Sequence, residues 1–167
     1  MPSAPPARPC SELWATRFVV LAYCRQGRTA EAERCLDRAV ELFALWGGRF
    51  DTENTGKDLA GFALAHGRLH EAEVLAHESV ADARADGDLW STGRALMTLG
   101  EIAQAKGDHQ AALDAYLEAV LMWRTLKART KTMRTLRTLS ELCDDLGDAQ
   151  RAAACRAEYA LLLAQPV

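Results

Sequence analysis

The fold of this chain is decided by four stretches of similar sequence. Residues 24–39 read CRQGRTAEAERCLDRA, residues 64–79 read LAHGRLHEAEVLAHES, residues 104–119 read QAKGDHQAALDAYLEA, and the looser residues 144–159 read DDLGDAQRAAACRAEY. Each stretch carries a glycine and, five residues later, an alanine, and successive glycines are 40 residues apart. The glycines are Gly27, Gly67, Gly107 and Gly147, and the alanines are Ala32, Ala72, Ala112 and Ala152. Repetition at one period indicates stacked copies of one structural unit.

The glycines predict tight connections between antiparallel helices. Glycine takes the left-handed conformation that ends a helix at low cost. Asp108 and Asp148, which follow directly, are good N-caps for the next helix, and Thr29 could serve in the first repeat. The alanine lets the two helices approach closely, because a larger side chain would hold them apart. Each repeat is therefore expected to be a helical hairpin.

Apolar periodicity and helix breakers predict eight helices. They span about residues 12–25, 29–45, 53–65, 69–85, 89–106, 109–126, 128–146 and 149–163. Composition agrees, because 31 Ala and 23 Leu stand against seven Val and one Ile, and β-branched residues favour strands. The last junction, near residues 125–130, has no Gly or Pro, so we expect a short kink there rather than a loop.

The domain organisation predicted from these elements is a leader and one domain of ordinary size. The first eleven residues contain four of the five prolines and predict a flexible leader. Residues 12–164 then form a single domain of four repeats, at about 12–48, 52–87, 89–126 and 128–164.

With these motifs the sequence resembles the tetratricopeptide repeat (TPR) family. The resemblance is carried best by the third repeat, with Leu99, Gly100, Gly107, Ala112, Tyr116 and Ala119. The first repeat matches at Tyr23, Gly27, Ala32 and Ala39, and the second at Ala60, Gly67 and Ala72, with Ser79 where Ala is usual. The fourth departs most, with Ser140, Cys143 and Tyr159. The unit of 40 residues, longer than the usual 34, is similar to repeats in large bacterial regulators. The resemblance implies an all-α, right-handed solenoid of four antiparallel helical hairpins that binds peptides or proteins.

Composition and motifs favour a non-catalytic protein of the cytoplasm, and the resemblance to repeats of bacterial regulators implies a bacterial one. No apolar run approaches the roughly 20 residues of a membrane span, and the first residues lack the apolar stretch of a signal peptide. Five cysteines without a CxxC motif are typical of free thiols in a reducing compartment. No phosphate-binding loop, dinucleotide fingerprint or nucleophile elbow is present. We therefore expect no enzyme activity, no cofactor and no metal site.

The resemblance implies that the first helix of each hairpin lines a concave surface. Counted from the turn glycines with the helical period, the residues expected to bind a ligand there are Trp14, Arg17, Asn54, Lys57, Arg94, Met97, Arg134 and Arg137. The cations among them form a stripe, and arginine offers a planar fork that suits carboxylates. The acids Glu101, Glu141 and Asp144 form a corner of opposite charge. The alternative is that these charges pair with each other, as Arg137 and Glu141 could at four-residue spacing.

One basic run, from Arg124 to Arg137, contains no acidic residue. A nucleic-acid partner is not favoured, because the net charge is −3 and the run spreads around a helix without an aromatic platform. A solvated helix joined to the cationic stripe is the better interpretation.

The last helix ends in Leu161, Leu162 and Leu163, which cannot all lie on one face. We therefore expect a partner or a homodimer at this helix; a frayed end, or a segment cut from a longer protein, is the alternative. Two functions remain open: an adaptor that binds a protein or acidic peptide in its groove, and a sensor or dimerisation segment of a bacterial transcriptional or signalling regulator.

Overall fold

The computed structural model of this chain describes residues 9–46 and 55–165. These residues form eight helices and contain no strand. The helices are α1 (Pro9–Arg25), α2 (Thr29–Trp46), α3 (Thr55–Ala65), α4 (Leu69–Ala85), α5 (Leu89–Lys106), α6 (His109–Thr125), α7 (Arg129–Asp145) and α8 (Ala149–Ala164). The prediction of an all-α chain of helical hairpins is confirmed, and most bounds agree within one or two residues. Helix α1 begins three residues before the expected start, because Pro9 supplies the backbone angle of a first helical turn and needs no hydrogen-bond acceptor there.

The chain divides into two compact units, with the boundary after Asp82 near the end of α4. The first unit contains α1, α2, α3 and most of α4, and the second contains α5 to α8. The single domain over residues 12–164 stays a prediction. Within the described parts of the chain, no helix has both the length and the apolar character needed to cross a membrane.

Turns of positive φ end the first helix of each hairpin, as predicted. The φ angles of the four repeat glycines lie between 69° and 79°, and Gly87 between α4 and α5 has a φ of 68°. Lys127 takes the same conformation with a φ of 53°. The prediction of a kink at this junction was wrong: α6 ends at Thr125, and a full turn precedes α7. Lys127 lies midway between Gly107 and Gly147, where the 40-residue repeat requires a turn between two hairpins. The length and packing of the helices therefore impose the turn although no glycine is present.

Aspartate caps open three helices of the second unit. Asp88 accepts hydrogen bonds from the backbone N–H groups of Trp90 and Ser91, and Asp108 and Asp148 each accept one from three residues ahead. Ala128 occupies the same position before α7 and provides no side-chain cap. The proposed role of Thr29 was wrong, because Thr29 is the first residue of α2 and the capping position falls one residue earlier, on Arg28.

The close helix contacts lie where the repeat predicts them. Ala32, Ala72, Ala112 and Ala152 are all fully buried. In the second unit a core of buried side chains from α5, α6, α7 and α8 surrounds Tyr116. This ring lies against the backbone of Gly100, where an added Cβ would come within 2.3 Å of Tyr116 Cε1. Because Gly100 has no side chain, there is room for the Tyr116 ring between α5 and α6.

Candidate ligand-binding face

Two contacts place α5 and α7, the first helices of successive hairpins, beside each other. The Thr135 hydroxyl lies 3.3 Å from the sulfur of Met97, and Lys131 Nζ lies 5.5 Å from the centroid of the Trp90 ring. Residues Trp90, Arg94 and Met97 are spaced by one helical turn, so they share one side of α5. We call this side of α5, together with the adjoining residues Lys131, Arg134 and Arg137 of α7, the α5–α7 face.

Arg94 and Arg134 are two uncompensated arginines of this face; its lysine, Lys131, lies over the Trp90 ring. Arg94 is half-buried and Arg134 is exposed. Within residues 9–46 and 55–165, neither guanidinium has a carboxylate within 4 Å. The two residues also have equivalent backbone surroundings, since the carbonyl of each accepts a hydrogen bond from a threonine four residues ahead. Two guanidinium groups at equivalent repeat positions on neighbouring helices can bind one extended anionic ligand.

Other polar groups of the predicted groove have partners inside the protein. Arg137 Nε lies 3.8 Å from Glu141 Oε1, which confirms the pairing considered from the sequence. Both side chains are about two thirds exposed, so this pair contributes at most about 1 kcal/mol and can open for a ligand. Asp144 of the predicted acidic corner binds Arg156 across the α7–α8 hairpin at 2.6 Å. The acidic corner is therefore partly neutralised.

Tyr116 connects the core to this face through Gln104. Its hydroxyl donates a hydrogen bond of 2.5 Å to Gln104 Oε1. Burial, with a smaller contribution from the Glu101 carboxylate, raises the pKa of the Tyr116 phenol above its usual value. The phenol is therefore a neutral donor that positions Gln104 rather than a proton-transfer group.

Of the predicted site residues in the first unit, only Lys57 has a described side chain. Trp14 and Arg17 lie on α1, but their side chains are outside the described part, as is Asn54 altogether. Lys57 lies in the first turn of α3, where its side chain is largely buried and forms an ion pair with the neighbouring Asp58. These residues stay predictions as ligand contacts.

Trp90 and Lys131 are residues of this face that sequence reasoning did not select. The Trp90 ring is 43% exposed and meets the buried Trp123 edge to face, with centroids 5.3 Å apart. The Trp123 ring in turn lies over Gly93, where an added Cβ would be 2.7 Å from it. The signal available in the sequence was Gly93, a glycine inside a predicted helix, which indicates the close approach of a bulky group.

A second repeated contact, which joins the second helices of successive hairpins, was also missed. Arg84 near the end of α4 binds Glu118 of α6 at 2.5 Å, and Arg124 of α6 binds Glu158 of α8 through two hydrogen bonds. Both pairs span 34 residues, and the second is the first shifted by one repeat. Arg124 of the basic run is therefore engaged away from the α5–α7 face.

The histidines have local roles. Nδ1 of His66 lies 2.9 Å from the carbonyl oxygen of Phe62, and the rings of the two residues are tilted by 37° with centroids 4.0 Å apart. His70, His77 and His109 are exposed. The described ranges contain no cluster of three or more His, Cys, Asp or Glu side chains suited to a metal ion.

Comparison with known proteins identifies the repeat. Two sequence profiles of the tetratricopeptide repeat match this chain, one at residues 91–156 and the other at residues 19–43. No curated protein sequence matches it.

Three solved structures are similar to this chain at 17–21% identity, which shows the fold alone. BtubC (BKLC) from P. vanneervenii superposes with a TM-score of 0.79 at 18% identity, over 99% of this chain and 70% of that chain. A signal transduction ATPase with numerous domains (STAND) and a tetratricopeptide repeat sensor, from Pyrococcus horikoshii, superposes with a TM-score of 0.76 at 17% identity. That match covers 95% of this chain and 25% of the ATPase. A putative kinesin light chain with TPR-like repeats from Podosopora anserina reaches a TM-score of 0.74 at 21% identity, over 98% and 78% of the two chains.

Proposed function

We propose that this chain, which belongs to the tetratricopeptide-repeat family, is a non-catalytic module that binds an acidic peptide or protein tail on its α5–α7 face. TPR repeats generally mediate protein–protein interaction, and their fold is typically non-catalytic. The observation that carries the proposal is the pair Arg94 and Arg134, two arginines at equivalent repeat positions without a carboxylate partner in the described part of the chain.

The physical argument rests on what such a pair can offer a ligand. Each guanidinium presents a planar fork that can hold a carboxylate by two hydrogen bonds. An extended acidic segment that crosses α5 and α7 can engage both, with Arg137 one turn beyond Arg134 once its pair with Glu141 opens. Met97 and Trp90 supply apolar surface between and beside the cations, which gives the ligand a contact other than charge. Binding in the cytoplasm of a bacterium, as expected from the sequence, is part of this proposal.

The experiment compares acidic, neutral and basic peptide tails of one length on an array. The wild type is scored against Arg94→Ala with Arg134→Ala. The matched control is Arg34→Ala with Arg38→Ala, which removes two exposed cations from α2 and leaves the α5–α7 face intact. Each charge-assisted hydrogen bond is worth about 1.5–3 kcal/mol at best, so losing two arginines should weaken acidic tails by a factor of roughly ten or more.

The control separates a specific site from a general effect of net charge. We expect the α2 control to bind acidic tails within about twofold of the wild type, and the preference for acidic tails to shrink in high salt. Equal binding of basic and acidic tails, or an unchanged affinity of the Arg94 and Arg134 variant, would refute the acidic-ligand site.

The second candidate function is a sensor segment of a larger bacterial regulator. The likeness to a STAND protein with a tetratricopeptide repeat sensor favours it. The two proposals differ in the size of the native polypeptide, so an antibody raised against this chain distinguishes them in an extract of the source organism. A band far above 18.3 kDa supports the regulator, and a band at that mass supports the adaptor.

A further inference from the structure

A narrow cavity of about 290 Å³ lies between α6 and α8, with α7 beneath it. Its floor is apolar, because Val120, Leu136 and Leu139 reach it from the buried core of the second unit. Leu117 and Leu121 of α6 form one wall, and both of these large apolar side chains are exposed. We call this cavity the α6–α8 cleft.

The α6–α8 cleft is elongated and is bridged at one end. There Arg124 of α6 binds Glu158 of α8 through two hydrogen bonds. Leu117 and Arg151 mark the other end, because each comes seven residues earlier in its helix and the two are again 34 residues apart. At a rise of 1.5 Å per residue, the two ends lie about 10 Å apart. The cleft therefore has room for a narrow ligand of about this length.

At its Arg151 end the cleft adjoins a second, polar hollow. This hollow is lined by Asp148, Gln150, Arg151 and Ala154, and the last two residues also line the cleft. The guanidinium of Arg151 is held loosely, since its Nε lies 3.5 Å from Asp148 Oδ2 and both side chains are exposed. A pair of this kind opens at little cost. An anionic head group can therefore bind Arg151 while an apolar tail lies in the cleft.

These features point to one class of ligand: we propose that the α6–α8 cleft binds a straight-chain carboxylic acid of about eight carbon atoms. The carboxylate lies at Arg151, and the chain runs toward the bridge of Arg124 with Glu158. At about 30 Å³ for each group of the size of water or methylene, the volume holds roughly ten such groups, as many as the non-hydrogen atoms of octanoate. The volume and the length of the cleft thus agree on the same ligand.

Protein segments do not fit this cleft. A helix is about 10 Å across with its side chains, which is too wide for a cavity of this volume that Arg124 and Glu158 bridge from wall to wall. A further repeat of a longer chain would not fill it either, because each repeat of a solenoid contacts only its neighbours and would pack outside the pair of α6 and α8. This inference is independent of the acidic-ligand site.

The first test measures chain length and head group on the wild type by isothermal titration calorimetry. The ligands are hexanoate, octanoate, dodecanoate, octan-1-ol and octylamine. A fully buried methylene contributes about fourfold in affinity, so octanoate should bind at least about fivefold more tightly than hexanoate. Dodecanoate should gain less than about twofold over octanoate, because its chain meets the bridge of Arg124 with Glu158. Octanoate should bind at least about threefold more tightly than octan-1-ol, and octylamine should bind most weakly.

The second test blocks the cleft from its α8 wall. Ala154 lines the cleft, whereas its neighbour Ala153 lies outside it, and both alanines are exposed. Ala154→Phe and the control Ala153→Phe therefore make the same change of helix propensity on one helix, and far-UV circular dichroism verifies that both variants fold. We expect Ala154→Phe to weaken octanoate at least about tenfold and Ala153→Phe to weaken it less than about twofold.

The third test removes the cation at the polar end. Arg151→Gln is compared with Arg156→Gln, which removes an arginine of the same helix outside the cleft. Only Arg151→Gln should abolish the preference for octanoate over octan-1-ol, and it should leave the affinity for octan-1-ol within about twofold of the wild type. High salt should reduce the same preference in the wild type.

Four results would each overturn the proposal. No detectable binding of octanoate at millimolar concentration, or equal weakening by Ala154→Phe and Ala153→Phe, would mean that the cleft is not a ligand site. Equal affinities of octanoate and octan-1-ol for the wild type would exclude a carboxylate at Arg151. A gain from octanoate to dodecanoate as large as that from hexanoate to octanoate would exclude a cleft that ends at the bridge.

Discussion

Replacing Gly100 with alanine should destabilise the chain although alanine is the better helix former. In the interior of a helix this exchange normally stabilises by about 0.5–1 kcal/mol, because alanine loses less backbone entropy on folding. At Gly100, however, the new Cβ would lie 2.3 Å from Tyr116 Cε1 and 2.7 Å from Cδ1 and Cζ. Favourable carbon contacts lie near 3.5–4.0 Å, so the ring must move by about 1 Å or more.

The tyrosine cannot make this movement freely. Its side chain is fully buried, and its hydroxyl is held by Gln104. Overpacking of a close-packed core costs about 1–3 kcal/mol, which exceeds the gain in helix propensity. We therefore expect Gly100→Ala to lose about 1–2 kcal/mol of unfolding free energy, and to lower the melting temperature by roughly 2–8 °C for a chain of this length.

Gly61 provides the control for this substitution. It lies in the interior of α3, and an added Cβ would meet nothing within 4 Å. Gly61→Ala should therefore stabilise by about 0.5–1 kcal/mol, opposite in sign to Gly100→Ala. Urea unfolding followed by circular dichroism measures both. If Gly100→Ala is as stabilising as Gly61→Ala, the buried contact with Tyr116 is not as described.

Three further substitutions test the hairpins. Ala112→Leu should destabilise by about 1–3 kcal/mol, because the alanine is fully buried in the core that α5 and α6 share; unchanged thermal unfolding would contradict that packing. Ala128→Asp should stabilise by about 1 kcal/mol in urea unfolding, since it supplies the cap that α7 lacks and that Asp148 gives α8; no gain would mean that the α7 terminus differs. Hydrogen bonds from the side chain and backbone of Ser91, and from the backbone of Trp90, lower the pKa of Asp88. Its contribution to stability is therefore present at neutral pH and is lost as the pH falls through this lowered pKa. Asn in place of Asp88 keeps a hydrogen-bond acceptor but does not titrate. In urea unfolding, Asp88→Asn should therefore lose less stability than the wild type between pH 5 and pH 2. An identical loss would show that Asp88 does not contribute to acid destabilisation.

The candidate site could be predicted from the sequence only as a set of positions. Arg94 and Arg134 could be predicted because they occupy equivalent positions of the repeat. The pair of Arg137 with Glu141 could be predicted because the two residues are four apart on one helix. The engagement of Asp144 by Arg156 could not be predicted, because it joins two helices whose rotation about their axes is set by packing. Gly93 indicated only that some bulky group comes close to α5. That this group is Trp123, and that Trp90 contacts it at the surface, depends on how the helices pack.

The sequence by itself determined the hairpins, because their signals are local. A turn glycine, a capping aspartate and an alanine at a fixed distance each act within a few residues of chain, and their repetition specified where almost every helix begins and ends. Only the tertiary structure decided the conformation of Lys127, which adopts a φ of 53° without the help of a glycine. The helices on either side have fixed lengths and pack on their neighbours, so the chain must turn at Lys127. The packing free energy of many buried side chains outweighs the preference of one lysine for negative φ.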